Sequence, residues 1–115
     1  MYSFSKAERL RLNAQIKDIV QTGEIVQTAD FIAFTKKNGT DKRRFGISVK
    51  KKFGNAVKRN RLKRYCREYF RLNKMKFPSG IDVFVLPRKR LSKKFDGLHY
   101  REIAVELQEL FKGLV

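Results

Sequence analysis

Residues 50–71 read KKKFGNAVKRNRLKRYCREYFR and carry ten basic side chains against a single acid, Glu68. A helix is predicted from Ala56 to Asn73, and at about 100° per residue it has two chemically different faces. The apolar face collects Leu62, Tyr65, Cys66 and Tyr69, with Phe70 at its edge. The basic face collects Arg59, Asn60, Lys63, Arg64, Arg67 and Arg71. A helix that packs through one face and displays guanidinium groups on the other is suited to binding phosphate.

The turn that precedes this helix strengthens the same interpretation. Gly54 and Asn55 interrupt the chain, and Asn55 is the predicted N-cap. The free N–H groups and the positive dipole end of a helix N-terminus favour anions. The turn, the cap and the first helical turns are therefore predicted to form one anion-binding corner. The alternative is a basic face that meets only solvent, but this stretch has almost no acids to neutralise it.

The composition indicates a folded and strongly basic chain. Its 115 residues predict one domain, residues 1–115, and 42% apolar residues with ten phenylalanines are enough for a core. The formal net charge is +17, far more than solubility requires. This charge predicts a polyanionic partner, nucleic acid in the first place.

Catalytic and membrane functions find little support in the sequence. The single cysteine, Cys66, cannot form an intrachain disulfide, and the single histidine, His99, falls at a predicted helix start. No Cys or His pair, no patterned carboxylates and no phosphate-binding glycine loop are visible, so no catalytic residue and no metal site are predicted. No apolar stretch could span a membrane, and the N-terminal segment does not resemble a signal peptide. A cytoplasmic location is therefore expected.

The remaining patterns predict an α+β fold. Ser5 and Glu8 form a possible capping box, and a helix is predicted from Asn13 to Thr22. Strands are predicted at residues 25–26, 31–35, 45–49 and, as a central buried strand, 81–86. Residues 87–94 are predicted to be a basic loop, and residues 99–111 a last helix with Glu102, Glu106 and Glu109 facing water. The order helix, three strands, helix, strand, helix predicts helices packed against a small sheet.

The exposed sheet face, together with the first helix, is a second candidate binding surface. Phe34 is a candidate platform for base stacking, with Lys36, Lys50 and Lys52 nearby in the sequence. The alternative for Phe34 is plain core packing, which the pattern alone favours.

From Lys51 to Glu68 the chain reads KKFGNAVKRNRLKRYCRE and resembles the protein subunit of bacterial ribonuclease P. The shared motif is a lysine, a glycine, Ala-Val, Arg-Asn, and then Lys-Arg and Arg at helical spacing. The resemblance covers nearly the whole chain. Residues 13–23 resemble the first helix of the family, 31–34 and 44–49 two of its strands, and 81–86 its last strand.

The resemblance implies both a fold and an activity. The fold would be an αβββαβα sandwich with a small four-stranded mixed sheet and a left-handed strand–helix–strand crossover, against the usual right-handed rule. The activity would be that of a ribonucleoprotein endoribonuclease that removes the 5′ leader of precursor tRNA. Its catalytic centre and the required Mg²⁺ would lie in the RNA, and no cofactor would bind the protein tightly. The implied partners are the catalytic RNA and precursor tRNA, with one monomeric protein per RNA and no membrane.

The resemblance also assigns roles to individual residues. Docking on the catalytic RNA would use Lys52, Asn55, Arg59, Asn60, Arg61, Lys63, Arg64 and Arg67. A cleft between the sheet and the first helix would hold the single-stranded leader through Ile16, Val20, Phe34, Ser48 and Lys50. Family members often carry aromatic residues where this chain has Ile16 and Val20. Because aliphatic side chains stack poorly on bases, Phe34 would be the main aromatic residue of this cleft.

Two other functions are compatible with a basic chain of this kind. A ribosomal or general RNA-packing protein would show no preference for a leader. A stand-alone nuclease would cleave RNA when freed of all nucleic acid, but the lone histidine and the scattered acids form no visible site.

Overall fold

In the computed structural model, a four-stranded sheet carries helices on both of its faces. The structure describes residues 8–10 and 13–114. The elements in chain order are α1 (Asn13–Thr22), β1 (Glu24–Gln27), β2 (Phe31–Lys37), β3 (Arg44–Ile47), α2 (Ala56–Asn73), β4 (Ile81–Pro87), α3 (Lys89–Lys94) and α4 (Tyr100–Leu110). Short 3₁₀ turns lie at Lys51–Phe53, Lys74–Lys76 and Phe95–Gly97. The strand order is β1-β2-β4-β3, with β3 parallel to β4 and the other pairs antiparallel. This mixed sheet confirms the predicted α+β class, and α2 is the crossover between the parallel strands. The predicted capping box begins at Ser5, outside the described residues.

The alternation of side chains divides the sheet into two unequal faces. On one face, Val83 and Val85 of the central strand β4 pack with the apolar sides of α2 and α4 in the main core. On the other face, Ile19 of α1 packs against Phe34 and Phe84 in a smaller cluster. Only part of this second face is covered by α1, and its uncovered part borders the candidate binding surfaces.

Helix α2 has the bounds that the sequence predicts, because a cap and a long amphipathic period define it. The side chain of Asn55 accepts a hydrogen bond from the backbone N–H of Lys58 at 2.9 Å, as an N-cap does. The predicted apolar face is buried through Leu62, Cys66, Tyr69 and Phe70. The opposite face is thereby turned away from the core.

The prediction of a loop over residues 87–94 was wrong, because Lys89–Lys94 forms the helix α3. Leu91 is fully buried and anchors this helix in the main core. The hydroxyl of Ser92 donates to the carbonyl of Phe53 at 2.8 Å, and the ammonium group of Lys58 donates to the carbonyl of Ser92 at 2.7 Å. Tertiary contacts therefore stabilise a helix that is too short to produce a clear periodic signal. The third strand also ends earlier than predicted, at Ile47.

The prediction that Glu106 faces water was also wrong. Its side chain lies beside Asp30, which is buried in the connection between β1 and β2, and the ammonium group of Lys94 lies 2.5 Å from Asp30 Oδ2 and 3.6 Å from Glu106 Oε1. Burial, and then a hydrogen bond to Asp30, raises the pKa of Glu106 to about 7. Burial opposes ionisation of Asp30, but the hydrogen bond from Glu106 and the charge of Lys94 hold its pKa below the ordinary value. Glu106 is therefore partly protonated near neutral pH, beside an ionised Asp30.

Glu106→Gln is expected to flatten the pH dependence of stability. The folded state raises the pKa of Glu106 from 4.5 to about 7, so it binds a proton that the unfolded chain has released between these pH values. The free energy of unfolding should thus fall as pH rises through this window. We expect a loss of roughly 1 kcal/mol, reduced from the full linkage value by partial exposure. Urea denaturation at pH 5 to 8 would measure it, with the exposed Glu109→Gln as the matched control. Equal pH slopes in the wild type and Glu106→Gln would contradict the raised pKa of Glu106.

Candidate nucleic-acid interface

The outer side of α2 presents a compact group of polar and cationic side chains. Asn60, Arg64 and Arg67 are exposed, and Lys63 is half-buried among them. Lys52, in the 3₁₀ turn before the helix, is exposed as well. Arg71 at the far end is paired with Glu68, its Nε atom lying 2.6 Å from Oε1. The structure therefore leaves the middle of the predicted basic face open to an anionic partner.

Residues at the start of α2 are partly committed to their own backbone. The Asn55 amide oxygen is occupied by the capping hydrogen bond to the N–H of Lys58. The Nε atom of Arg59 donates to the carbonyl of Gly54 at 3.0 Å, which holds the guanidinium group over the preceding turn. These two predicted contact residues thus shape the anion-binding corner, and the remaining N–H groups of Arg59 stay available to a ligand.

Arg61 lies on a different side of α2 from Arg64 and Arg67. Its Nη2 atom donates to the carbonyl of Phe95 at 3.2 Å, and its guanidinium carbon lies 4.6 Å from the centroid of the Phe95 ring. A hydrogen bond and a cation–π contact of this kind fasten the segment after α3 to α2. The predicted contact with RNA at Arg61 stays a prediction, and the structure gives this residue a packing role.

Two grooves open on the uncovered part of the sheet, one on each side of Ser48. The first has a volume of about 310 Å³ and is lined by Ile16 of α1, by Gly46 and Ser48, and by Arg67 of α2. The second has a volume of about 320 Å³, an apolar floor and a basic rim. Its floor includes Ile32, Leu86 and Phe53, and its rim Lys50, Lys52 and Lys89. Because Ser48 lines both grooves, they form one path that begins beside the exposed face of α2.

The predicted cleft residues are therefore brought to one side of the sheet, with one difference in role. Ile16 lines the first groove, and Val20 is 41% exposed on α1. Phe34 is only 7% exposed and packs with Leu10, Ile19 and Phe84 beneath α1. The ring supports α1 and has little surface left for a base, so the structure favours core packing, the alternative that the pattern favoured.

Some groove residues were missed by the sequence reasoning. Ile32 and Leu86 could have been found, because they share the alternation that places Phe34 and Phe84 on this sheet face. Lys89 was hidden by the wrong loop assignment of residues 87–94. Arg9 lines the first groove because Leu10 donates from its N–H to the carbonyl of Phe45 at 2.8 Å. No periodic signal marks that short contact.

Metal binding and nucleophilic chemistry are two further functions that side chains near these surfaces could support. In residues 8–10 and 13–114, no cluster of three or more His, Cys, Asp or Glu side chains could hold a metal ion. Burial raises the pKa of the Cys66 thiol far above its ordinary value, so Cys66 acts as a small core residue. Within the same ranges, no helix is both long and apolar enough to cross a membrane. The two sheet grooves are lined by lysine and arginine cations, by serine hydroxyls and by apolar surface.

Comparisons with known proteins give one consistent result. The family model described as Ribonuclease P matches residues 4–115. A ribonuclease P protein component from Thermotoga sp. (strain RQ2) is 46% identical over 112 residues, covering 97% of this chain and 96% of the relative. The solved ribonuclease P protein of Thermotoga maritima is 42% identical, with a TM-score of 0.86 over 94% of this chain and 98% of its own. The ribonuclease P protein of Staphylococcus aureus is 34% identical, with a TM-score of 0.83 over 93% of this chain and 94% of its own.

Proposed function

Because the chain belongs to the ribonuclease P protein family, whose members are subunits of a tRNA-processing ribonucleoprotein endoribonuclease, we propose how it divides its RNA contacts. The exposed side of α2 docks on the catalytic RNA through Asn60, Lys63, Arg64 and Arg67, with Lys52, Asn55, Arg59 and Arg61 at the edge of that surface. The two sheet grooves hold the 5′ leader of precursor tRNA.

The continuity of the two surfaces is the observation that carries this proposal. Arg67 stands on the docking face of α2 and also lines the first groove, while Ser48 joins the first groove to the second. A single-stranded RNA segment that leaves the docked RNA at Arg67 can thus enter the grooves without crossing the core. Such a path brings a catalytic RNA and a leader to neighbouring parts of one small protein.

The chemistry of the second groove is suited to binding single-stranded RNA. Its floor of Ile32 and Leu86 can cover bases and riboses, and Lys50 and Lys52 on its rim can meet phosphates. In the first groove Ile16 adds aliphatic surface from α1, and Phe34 keeps α1 in place from below. Val20, which is 41% exposed on the same helix, would extend this surface. Since these contacts read no base edge in a fixed pattern, we expect the leader to be held with little preference for sequence.

Catalysis in this proposal remains with the RNA, and the protein supplies fixed positive charge. A net charge of +17 next to two RNA segments reduces the Mg²⁺ needed to bring them together. No cofactor needs to bind the chain tightly. One monomer per RNA in the cytoplasm completes the proposal.

Cleavage of a precursor tRNA by a bacterial catalytic RNA at low Mg²⁺, with and without this protein, tests the proposal. We expect the protein to restore cleavage at the mature 5′ end by at least tenfold, as fixed cations replace Mg²⁺ in neutralising phosphates (about 1.4 kcal/mol). A second measurement compares the affinity of the catalytic RNA, with and without the protein, for the precursor tRNA and for the same tRNA without its leader. We expect the protein to raise the affinity for the precursor much more than the affinity for the tRNA that lacks the leader.

Two outcomes would contradict the proposal. Tight binding of RNA without stimulated cleavage would indicate a general RNA-binding protein. An equal gain in affinity for tRNA with and without the leader would contradict the proposal that the grooves bind the leader.

A further inference from the structure

A third groove lies away from the sheet, between the C-terminal half of α2 and α4. Its volume of about 820 Å³ is more than twice that of either sheet groove. It is lined by residues of α2, of the following 3₁₀ turn and of α4, among them Tyr69, Asn73, Lys76, Tyr100, Arg101 and Val105. Since α2 and α4 pack on the face of the sheet opposite α1, this α2–α4 groove is separate from the two sheet grooves.

The wall of the α2–α4 groove includes an apolar side chain that the core does not cover. Val105 of α4 lines the groove and is 60% exposed. Tyr69 is only 5% exposed and packs 6.5 Å from the ring of Phe111, so it forms the floor of the groove without offering a ring face to a base. The half-buried Tyr100 is held 6.0 Å from the ring of Tyr65 and presents the remaining aromatic surface. A rigid aromatic ring beside an exposed aliphatic side chain provides contact surface at low entropic cost.

The polar groups of the α2–α4 groove select an anionic partner. Lys76 stands on the α2 side and Arg101 on the α4 side, and no carboxylate lines the groove. In the part of the chain that the structure describes, neither cation belongs to an ion pair. Asn73 and Gln108 add amide groups to the lining.

We infer that the α2–α4 groove binds unpaired nucleotides of an RNA on the side of the protein opposite the sheet grooves. A partly exposed aromatic ring, amides and cations together are the set that contacts the base, its edge and its phosphate in single-stranded RNA. Tyr100 supplies the ring, Asn73 and Gln108 the amides, and Lys76 and Arg101 the cations. A second copy of the chain is a poor occupant, because two bodies of charge +17 repel each other. An acidic polypeptide would satisfy the cations but would leave the ring of Tyr100 without a base to contact.

A photocrosslinker at Val105 tests this inference directly. A benzophenone amino acid is placed at Val105, and the full chain is irradiated with a short oligouridylate and, separately, with a bacterial catalytic RNA. We expect an RNA adduct with both probes, and its loss in the Lys76→Ala/Arg101→Ala variant. The same crosslinker at Asp41, which is exposed in the β2–β3 turn, should give little adduct.

The affinity of the catalytic RNA provides the second readout. In Lys76→Ala/Arg101→Ala the log–log salt slope should fall by about 1.4, because each phosphate contact on a single strand contributes about 0.7. Lys37→Ala/Lys42→Ala removes the same charge from exposed positions at the β2–β3 turn and should leave the slope unchanged. Circular dichroism melting of both variants verifies that the fold is intact.

The outcomes separate this inference from the proposed function. No adduct from Val105 with either RNA would overturn the inference, even where the protein stimulates cleavage at low Mg²⁺. Displacement of the oligouridylate by polyglutamate at equal charge concentration would overturn it in favour of an acidic polypeptide. An adduct with the oligouridylate that Lys76→Ala/Arg101→Ala removes would support the inference, even where cleavage is not stimulated and the proposed function fails.

Discussion

Asp82→Ala is expected to lower the free energy of unfolding by about 3 kcal/mol, because it removes one partner of a largely buried ion pair. Asp82 is 7% exposed on the central strand β4, and its two carboxylate oxygens accept from Arg44 Nε and Nη2 at 2.7 Å each. Asn38 also donates to Oδ1, at 2.9 Å. Removing the carboxylate leaves the largely buried guanidinium group of Arg44 without its partner, and this uncompensated charge is the main cost.

Urea denaturation monitored by circular dichroism would measure this loss as a lower midpoint at unchanged m-value. The matched control is the exposed pair of Asp18 and Lys36, whose side chains are 56% and 37% exposed. Asp18→Ala should cost less than about 1 kcal/mol, because solvent screens that pair. The double variant Arg44→Met/Asp82→Leu should recover most of the stability. A loss below 1 kcal/mol in Asp82→Ala would show that the pair does not hold β3 against β4.

The Arg44–Asp82 pair also bears on the binding surface. It joins β3 to β4 on the sheet face that carries Gly46 and Ser48, and these residues line the first groove. A one-residue slip between the two strands would turn Ser48 toward the core. The pair therefore fixes the strand register that keeps the two grooves continuous.

The sequence predicted long, regular features well and short tertiary features poorly. The bounds and the cap of α2 follow from five turns of amphipathic pattern and one asparagine, so they were predicted correctly. The six residues of α3 span fewer than two turns, and their helical state depends on contacts with Phe53 and Lys58. The pairing of Glu106 with Asp30 depends on the β1–β2 connection meeting α4, which no local pattern encodes.

The candidate site shows the same difference between features that a regular pattern predicts and features that depend on tertiary contacts. The exposure of Arg64 and Arg67 could be predicted, because both lie well away from the apolar face of one helix. The packing role of Arg61 could not, since it lies at the boundary between the two faces and requires Phe95 as its partner. Alternation placed Phe34 on the correct sheet face, but only the tertiary structure shows that α1 covers its ring.

Arg64→Ala/Arg67→Ala is expected to weaken binding of the catalytic RNA by about 10- to 100-fold at moderate salt. Both side chains are exposed on α2, and a charge-assisted hydrogen bond to phosphate typically contributes more than 1 kcal/mol. The log–log salt slope should fall by about 1.4 to 1.8, the sum for two phosphate contacts on single-stranded or duplex RNA. Filter binding across a salt series would measure both quantities.

The salt slope separates a lost contact from a weakened fold. A folding defect lowers the fraction of active protein and shifts all affinities together, whereas the loss of two phosphate contacts changes the slope itself. Lys37→Ala/Lys42→Ala, with the same loss of charge at the β2–β3 turn, controls for the long-range field of the protein. An unchanged slope in Arg64→Ala/Arg67→Ala would mean that the exposed side of α2 does not dock on the RNA. The 5′ leader would then have to enter the sheet grooves from a side other than that of Arg67.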